Sequence, residues 1–205
     1  MKSDVSYGVQ VMLLYADKLV KKLVSLYRQL VQLDPMDVAK IHENLGETAL
    51  RNGAYDAAIS HFRKVTEVDP ANAEALYNLG VAYQYASSSE DAIESFRKAI
   101  EVRPEYGDAY YSLGMIYLER DLAAEAMRCF QRAIELDSQN ADAHYRLGIV
   151  YDKQGEYPSA VTCFQNAIEL TPQVAKYHQR LGYAYESLDQ HQEAVECFKT
   201  AMELK

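Results

Sequence analysis

Cys129, Cys163 and Cys197 are the residues in this chain whose type and spacing most invite chemistry: each stands 34 residues after the last and directly before Phe130, Phe164 and Phe198. A row of thiols suggests redox chemistry, a disulfide or a thiolate-held metal. His42, His144 and His178 keep the same 34-residue grid, whereas His61 and His191 have no partner at ligand spacing. The spacing itself argues against all three chemistries. Residues one repeat apart on stacked helices are separated by a helix packing distance, ~8–10 Å, and a disulfide needs Cα atoms within ~7 Å. The cysteines therefore read as small, half-buried residues of a reducing compartment, and the histidines as fillers of an aromatic slot between helices. The chain has no P-loop, no G-x-G-x-x-G, no H-E-x-x-H, no G-x-S-x-G and no C-x-x-C. Nothing proposes phosphate cradling, zinc or an acyl nucleophile, so the expectation is a non-enzyme with no cofactor and no metal site.

The elements that position these residues follow from the same period. Leu-Gly pairs recur at 45–46, 79–80, 113–114, 147–148 and 181–182, and Phe62, Phe96, Phe130, Phe164 and Phe198 keep step with Ala58, Ala92, Ala126, Ala160 and Ala194. A fixed period in the 20 to 50 residue range marks stacked supersecondary units. Five units result, 39–72, 73–106, 107–140, 141–174 and 175–205, preceded by a segment 1–38. Each holds two apolar-periodic halves that read as helices, split by Gly53, Ser87, Asp121, Gly155 or Asp189, residues suited to helix caps. Pro158 falls in the first turn of its second helix, where a missing N–H costs nothing. Gly at the eighth position and Ala at the twentieth allow the paired helices to approach, with Tyr and Phe filling the wider gaps between repeats. Nine Gly and five Pro in 205 residues leave few breakers, which agrees with an all-α chain.

Charge narrows the partners. A net charge of −9 opposes adhesion to a phosphate backbone, so nucleic acid is not expected. The uncharged run 5–16 is shorter than the ~20 residues of a spanning helix and lacks a signal cleavage site, so the expected location is cytoplasmic.

The columns resemble the tetratricopeptide repeat (TPR) family, whose pattern sets an aromatic, Leu-Gly, Tyr, Ala, Phe, Ala and Pro at positions 4, 7–8, 11, 20, 24, 27 and 32, matched here over residues 39–205. Departures are His at the fourth position, Ala49 in place of Tyr, and Ser138 in place of Pro. The resemblance implies a right-handed solenoid of helix-turn-helix repeats whose first helices line a concave, protein-binding face. The positions implied to face it carry Glu43, Tyr77, Tyr111, Tyr145 and Gln179 at the fifth place and Glu47, Val81, Met115, Ile149 and Tyr183 at the ninth. The family's two-carboxylate clamp is missing: Glu43 and Glu47 stand where Lys and Asn are required, and Asp108 and Ser112 where Lys and Arg are. The groove instead suits an apolar or basic amphipathic segment, and Glu74, Asp108, Asp142 and Asp152 add to its acidic side.

Residues 12–33 read as one helix with a wide apolar face and a basic bias: Leu13, Tyr15, Lys18, Leu19, Lys22, Leu23, Leu26, Tyr27 and Leu30 make it a candidate self-assembly helix. Residues 1–33 carry +3 against −12 for the remainder. The segment is thus of the kind the groove calls for, which would make the protein its own partner in a homo-oligomer. It also reads as a degenerate repeat that caps the first full one, leaving a monomeric adaptor, or as a helix lying peripherally on an anionic membrane. Two stretches, from Tyr7-Gly8 to Lys21-Lys22-Leu23 and from Lys176-Tyr177-His178 to Phe198-Lys199, resemble the magnetosome-associated branch of the family. That resemblance implies a cytoplasmic scaffold that assembles through its N-terminal segment and coats the magnetosome membrane by binding proteins there.

Overall fold

A computed structural model of the chain describes residues 18–23, 26 and 34–204. Residues 18–23 and 26 are helical. Ten further helices follow in five antiparallel pairs: α1 (Pro35–Arg51) with α2 (Tyr55–Val68), α3 (Ala73–Tyr85) with α4 (Ser89–Val102), α5 (Gly107–Glu119) with α6 (Ala123–Leu136), α7 (Ala141–Lys153) with α8 (Tyr157–Leu170), and α9 (Ala175–Glu186) with α10 (His191–Glu203). Each helix packs on its neighbours in sequence, and first helices also touch across repeats, α1 with α3 and α5 with α7. The result is a TPR-type all-α solenoid.

Local chemistry sets the boundaries. Asp34 accepts from the Met36 N–H at 2.9 Å, and Pro35 opens α1, so this helix starts four residues ahead of the 39–72 unit. Asn72 and Asn140 cap α3 and α7 by accepting from the Ala75 and Ala143 N–H groups, each at 2.9 Å. The fifteenth residue of every unit turns left-handed: φ is 72° at Gly53, 62° at Ser87, 60° at Asp121, 76° at Gly155 and 60° at Asp189. The next residue then donates its N–H back to the tyrosine carbonyl five positions earlier, Ser88 to Tyr83, Leu122 to Tyr117, Glu156 to Tyr151 and Gln190 to Tyr185, each at 2.9 Å. This 6→1 bond closes the first helix and aims the chain into the second.

The core explains the glycine column more closely than the sequence does. Phe62, Phe96, Phe130 and Phe164 are fully buried, and each ring lies on the glycine of its own repeat. A Cβ on Gly80 or Gly148 would sit 2.6 Å from a ring carbon of Phe96 or Phe164. The phenylalanines therefore fill the space within a repeat and not, as expected, the gaps between repeats. Tyrosine spans those gaps: Arg63 Nε donates to the Tyr83 hydroxyl at 2.7 Å, Arg97 to Tyr117 at 2.7 Å, Gln131 to Tyr151 at 3.3 Å and Gln165 to Tyr185 at 2.8 Å. One rung thus joins each second helix to the first helix of the next repeat. Coverage is least at the ends of the stack. Leu45 is 45% exposed while its equivalents Leu79, Leu113, Leu147 and Leu181 are 5–7% exposed under the preceding second helix.

Candidate protein-binding groove

The first helices set the groove residues in a row, and the second helices decide how far each one reaches out. Tyr77, Tyr111 and Tyr145 rest against the phenylalanines of their own repeats, with ring centroids 5.6, 5.9 and 5.8 Å from Phe96, Phe130 and Phe164. Tyr77 and Tyr111 are half-buried, as are Val81 and Met115, all packed on the core. Tyr145 and Ile149 are buried within the chain, Tyr145 beneath Tyr177 at 4.8 Å. Tyr183 is 49% exposed, its ring edge-on to Phe198 at 5.1 Å. The accessible apolar stripe therefore runs from Tyr77 and Val81 to Tyr111 and Met115, and resumes at Tyr183.

Charge along this face is uneven. Half-buried Glu43 accepts from Asn72 Nδ2 at 3.1 Å, so it braces the cap of the next first helix. Asp142 accepts from Lys176 Nζ at 3.0 Å and the Tyr177 hydroxyl at 2.9 Å, and Arg180 lies 3.8 Å from Asp152. Burial pushes the Asp142 carboxyl up, but these two hydrogen bonds outweigh it and hold the pKa below the usual carboxylate value. Among the described residues, half-buried Glu47 and exposed Glu74 and Asp108 are in no ion pair. Acidity is concentrated in the first three repeats, while Arg146, Lys176 and Arg180 offset the acids of the last two. Sequence reading missed these three cations. Lys176 and Arg180 were legible as positions 2 and 6 of the last repeat, but their pairing with acids one repeat earlier was not.

Tyr77 meets Tyr106 at 5.0 Å, and burial first, then Tyr77 and Glu74, raise the Tyr106 pKa to about 12. Both phenols stay protonated in neutral solution. Burial likewise raises the thiols of Cys129 and Cys163 to about 11, which leaves them unreactive, and all three cysteines are free. His144 and His178 reach the carbonyls of Ser138 and Pro172 at 3.2 and 2.8 Å. His61 has a hydrogen-bond partner that sequence spacing does not reveal: its Nδ1 lies 2.9 Å from Nδ1 of His42, with ring centroids 5.1 Å apart. The rings point nitrogen to nitrogen, the arrangement of one N–H donating to one lone pair, which leaves no space for a metal between them. Among the described residues no group of three His, Cys, Asp or Glu converges to hold a metal ion, and no helix is long and apolar enough to cross a membrane.

Of the candidate assembly helix, Lys18, Leu19, Lys22, Leu23 and Leu26 are helical and exposed, Leu19 at 62% and Leu23 at 57%. Leu13, Tyr15, Tyr27 and Leu30 lie outside the described residues.

Tetratricopeptide repeat models match residues 37–105, 141–173 and 175–205, and a TPR repeat model matches 123–155. A crystal structure of a MamA protein is 36% identical over 82% of this chain and 92% of its own, with a TM-score of 0.76. The chain belongs to the tetratricopeptide repeat family. A second MamA crystal structure is 37% identical, covering 78% of this chain and 94% of that one at a TM-score of 0.74. MamA of Desulfovibrio magneticus RS-1, from residue 41 of that protein to its end, is 28% identical over 82% of this chain and 95% of that one, with a TM-score of 0.76. No curated protein sequence matches significantly. This TPR chain is thus a protein-protein interaction module that resembles MamA in fold.

Proposed function

We propose that this protein is a non-enzymatic scaffold that binds partner proteins on its first-helix face and joins to other copies of itself through residues 1–38, ahead of the five repeats of 39–205. The observation that carries the reading is the pairing of two opposite surfaces on one chain. One is the half-buried stripe of Tyr77, Val81, Tyr111 and Met115, bordered by Glu47, Glu74 and Asp108, which are in no ion pair among the described residues. The other is the exposed helical segment with Leu19, Val20, Leu23 and Leu26 beside Lys18 and Lys22. Apolar residues flanked by cations fit an apolar row flanked by carboxylates, in the manner of a helix lying in a groove. A groove of one copy taking the segment of the next is a heterologous contact, which propagates into rings or open assemblies. The likeness to MamA supports a place on the cytoplasmic side of a magnetosome membrane, reached through proteins there.

The exposure of Leu45 favours a second reading, in which the N-terminal segment covers α1 of its own chain and the protein is a monomeric adaptor. Light scattering separates the two. The scaffold reading expects large assemblies that reduce to monomer when residues 1–33 are removed and that weaken in high salt. A monomeric full chain whose melting temperature simply falls on truncation sinks it in favour of the cap. Within the scaffold reading, Met115→Lys should weaken assembly about tenfold or more by placing a cation against a basic segment, with melting temperature nearly unchanged.

A further inference from the structure

The second repeat holds a cavity that the groove reading does not use. It has a volume of about 390 Å³ and opens between second helices α2 and α4, with α3 as its floor. Leu76, Leu79 and Tyr83 form the floor and Pro70 one wall. These three α3 residues follow an i, i+3, i+7 stripe distinct from that of Tyr77 and Val81, so the two sites lie on different faces of one helix. In the fourth and fifth repeats, the residue equivalent to Leu76 is a histidine whose ring reaches the loop carbonyl of Ser138 or Pro172, a contact that leucine has no polar atom to make.

The cavity has an apolar floor and a polar wall and lip, formed by Arg63, Thr66, Asp91, Glu94, Ser95 and Lys98. The Ser95 hydroxyl is spent on the Asp91 carbonyl at 2.8 Å, and Tyr83 accepts from Arg63. Lys98 and Glu94 on the lip satisfy each other at 2.6 Å. The Arg63 guanidinium, held by the Tyr83 hydroxyl and 5.6 Å from that ring's centroid, stands on the α2 side and the Asp91 carboxylate on the α4 side, and among the described residues neither is in an ion pair. We propose that this cavity is a second protein-binding site, which takes one large aliphatic side chain from a partner's amphipathic helix laid between α2 and α4, with an acidic residue toward Arg63 and a basic residue toward Asp91. The volume leaves ample room for one large aliphatic side chain. The opposed lip charges fix which way the helix lies.

The test uses labelled helical peptides of 16 residues with the full chain, read by fluorescence anisotropy. The first peptide carries one leucine with Glu on one flank and Lys on the other, the second has Ala for Leu, and the third swaps the two charges. The leucine peptide binds, the alanine peptide binds about tenfold or more weakly because the buried methyl groups are lost, and one charge order is preferred. Asp91→Lys, an exposed change, reverses that order, and Met115→Lys leaves binding unchanged. No binding, equal binding of the Leu and Ala peptides, or an order indifferent to Asp91→Lys overturns the proposal. Binding abolished by Met115→Lys would also overturn it, and would assign the peptide to the first-helix groove instead.

Discussion

A single methyl group decides most of what happens at the glycine column. Because the Phe130 ring and the Cys129 Cβ lie 2.9 to 3.1 Å from where a Cβ on Gly114 would be, no side chain fits there without moving a fully buried ring. Gly114→Leu should destabilise by roughly 1–3 kcal/mol through overpacking, read as a lowered urea midpoint; an unchanged midpoint would mean the two helices are not this close. The histidine pair is the other residue-scale control. Burial, then Lys64 and His61, hold the His42 pKa below its ordinary 6.5, so the fold favours the neutral ring. The stability this ring contributes is complete above the unfolded pKa near 6.5 and is lost as the pH falls through the lower folded value. Melting temperature should therefore fall between pH 7 and pH 5, and fall less in His42→Gln. Identical pH profiles for the two proteins would take His42 out of the account.

At the scale of one helix pair, the left-handed fifteenth position is where sequence and geometry disagree in a useful way. Two repeats place glycine there, and three hold Ser87, Asp121 and Asp189 at φ near 60°. A residue with a Cβ costs of order 1–3 kcal/mol in that region, and glycine returns part of the gain as chain entropy. Ser87→Gly should raise stability by about 0.5–1 kcal/mol, visible as a higher melting temperature; a loss would show that the Ser87 side chain does something the turn needs. Asp121 is a poorer test because Lys153 donates to it at 3.2 Å. The helix pairs were legible in the sequence because a 34-residue period states them five times over, and turn residues, Pro35 and Pro158 mark the breaks. The contacts between columns were less legible. A period reports which positions are equivalent but not which of them meet, so His42 with His61, Arg63 with Tyr83 and Phe96 over Gly80 appear only once helices are placed side by side. For the same reason the groove positions could be named from the family pattern, whereas the burial of Tyr145 depends on Tyr177 and Lys176 arriving from the next repeat.

Across the whole molecule, packing runs between neighbours in sequence, and the hydrogen-bonded rungs from Arg63, Arg97, Gln131 and Gln165 each span one junction only. Stability in such a stack is a sum of repeat terms and junction terms, so a helix pair with one junction opens more readily than a pair with two. Leu45 and Ile41 on α1 and Val195 and Met202 on α10 are 45–68% exposed. Amide exchange should be slowest in α5 to α8 and faster in α1, α2 and α10. Assembly gives this gradient a functional sense. If the N-terminal segment of one copy binds the first-helix face of another, it ties together repeats that hold each other only through single junctions, and protection should rise most in the repeats that carry Tyr77, Val81, Tyr111 and Met115. Exchange measured on the full chain and on the chain without residues 1–33 distinguishes this from capping. A cap protects α1 and α2 first and leaves α5 unchanged, whereas docking in the groove slows exchange in α3 and α5.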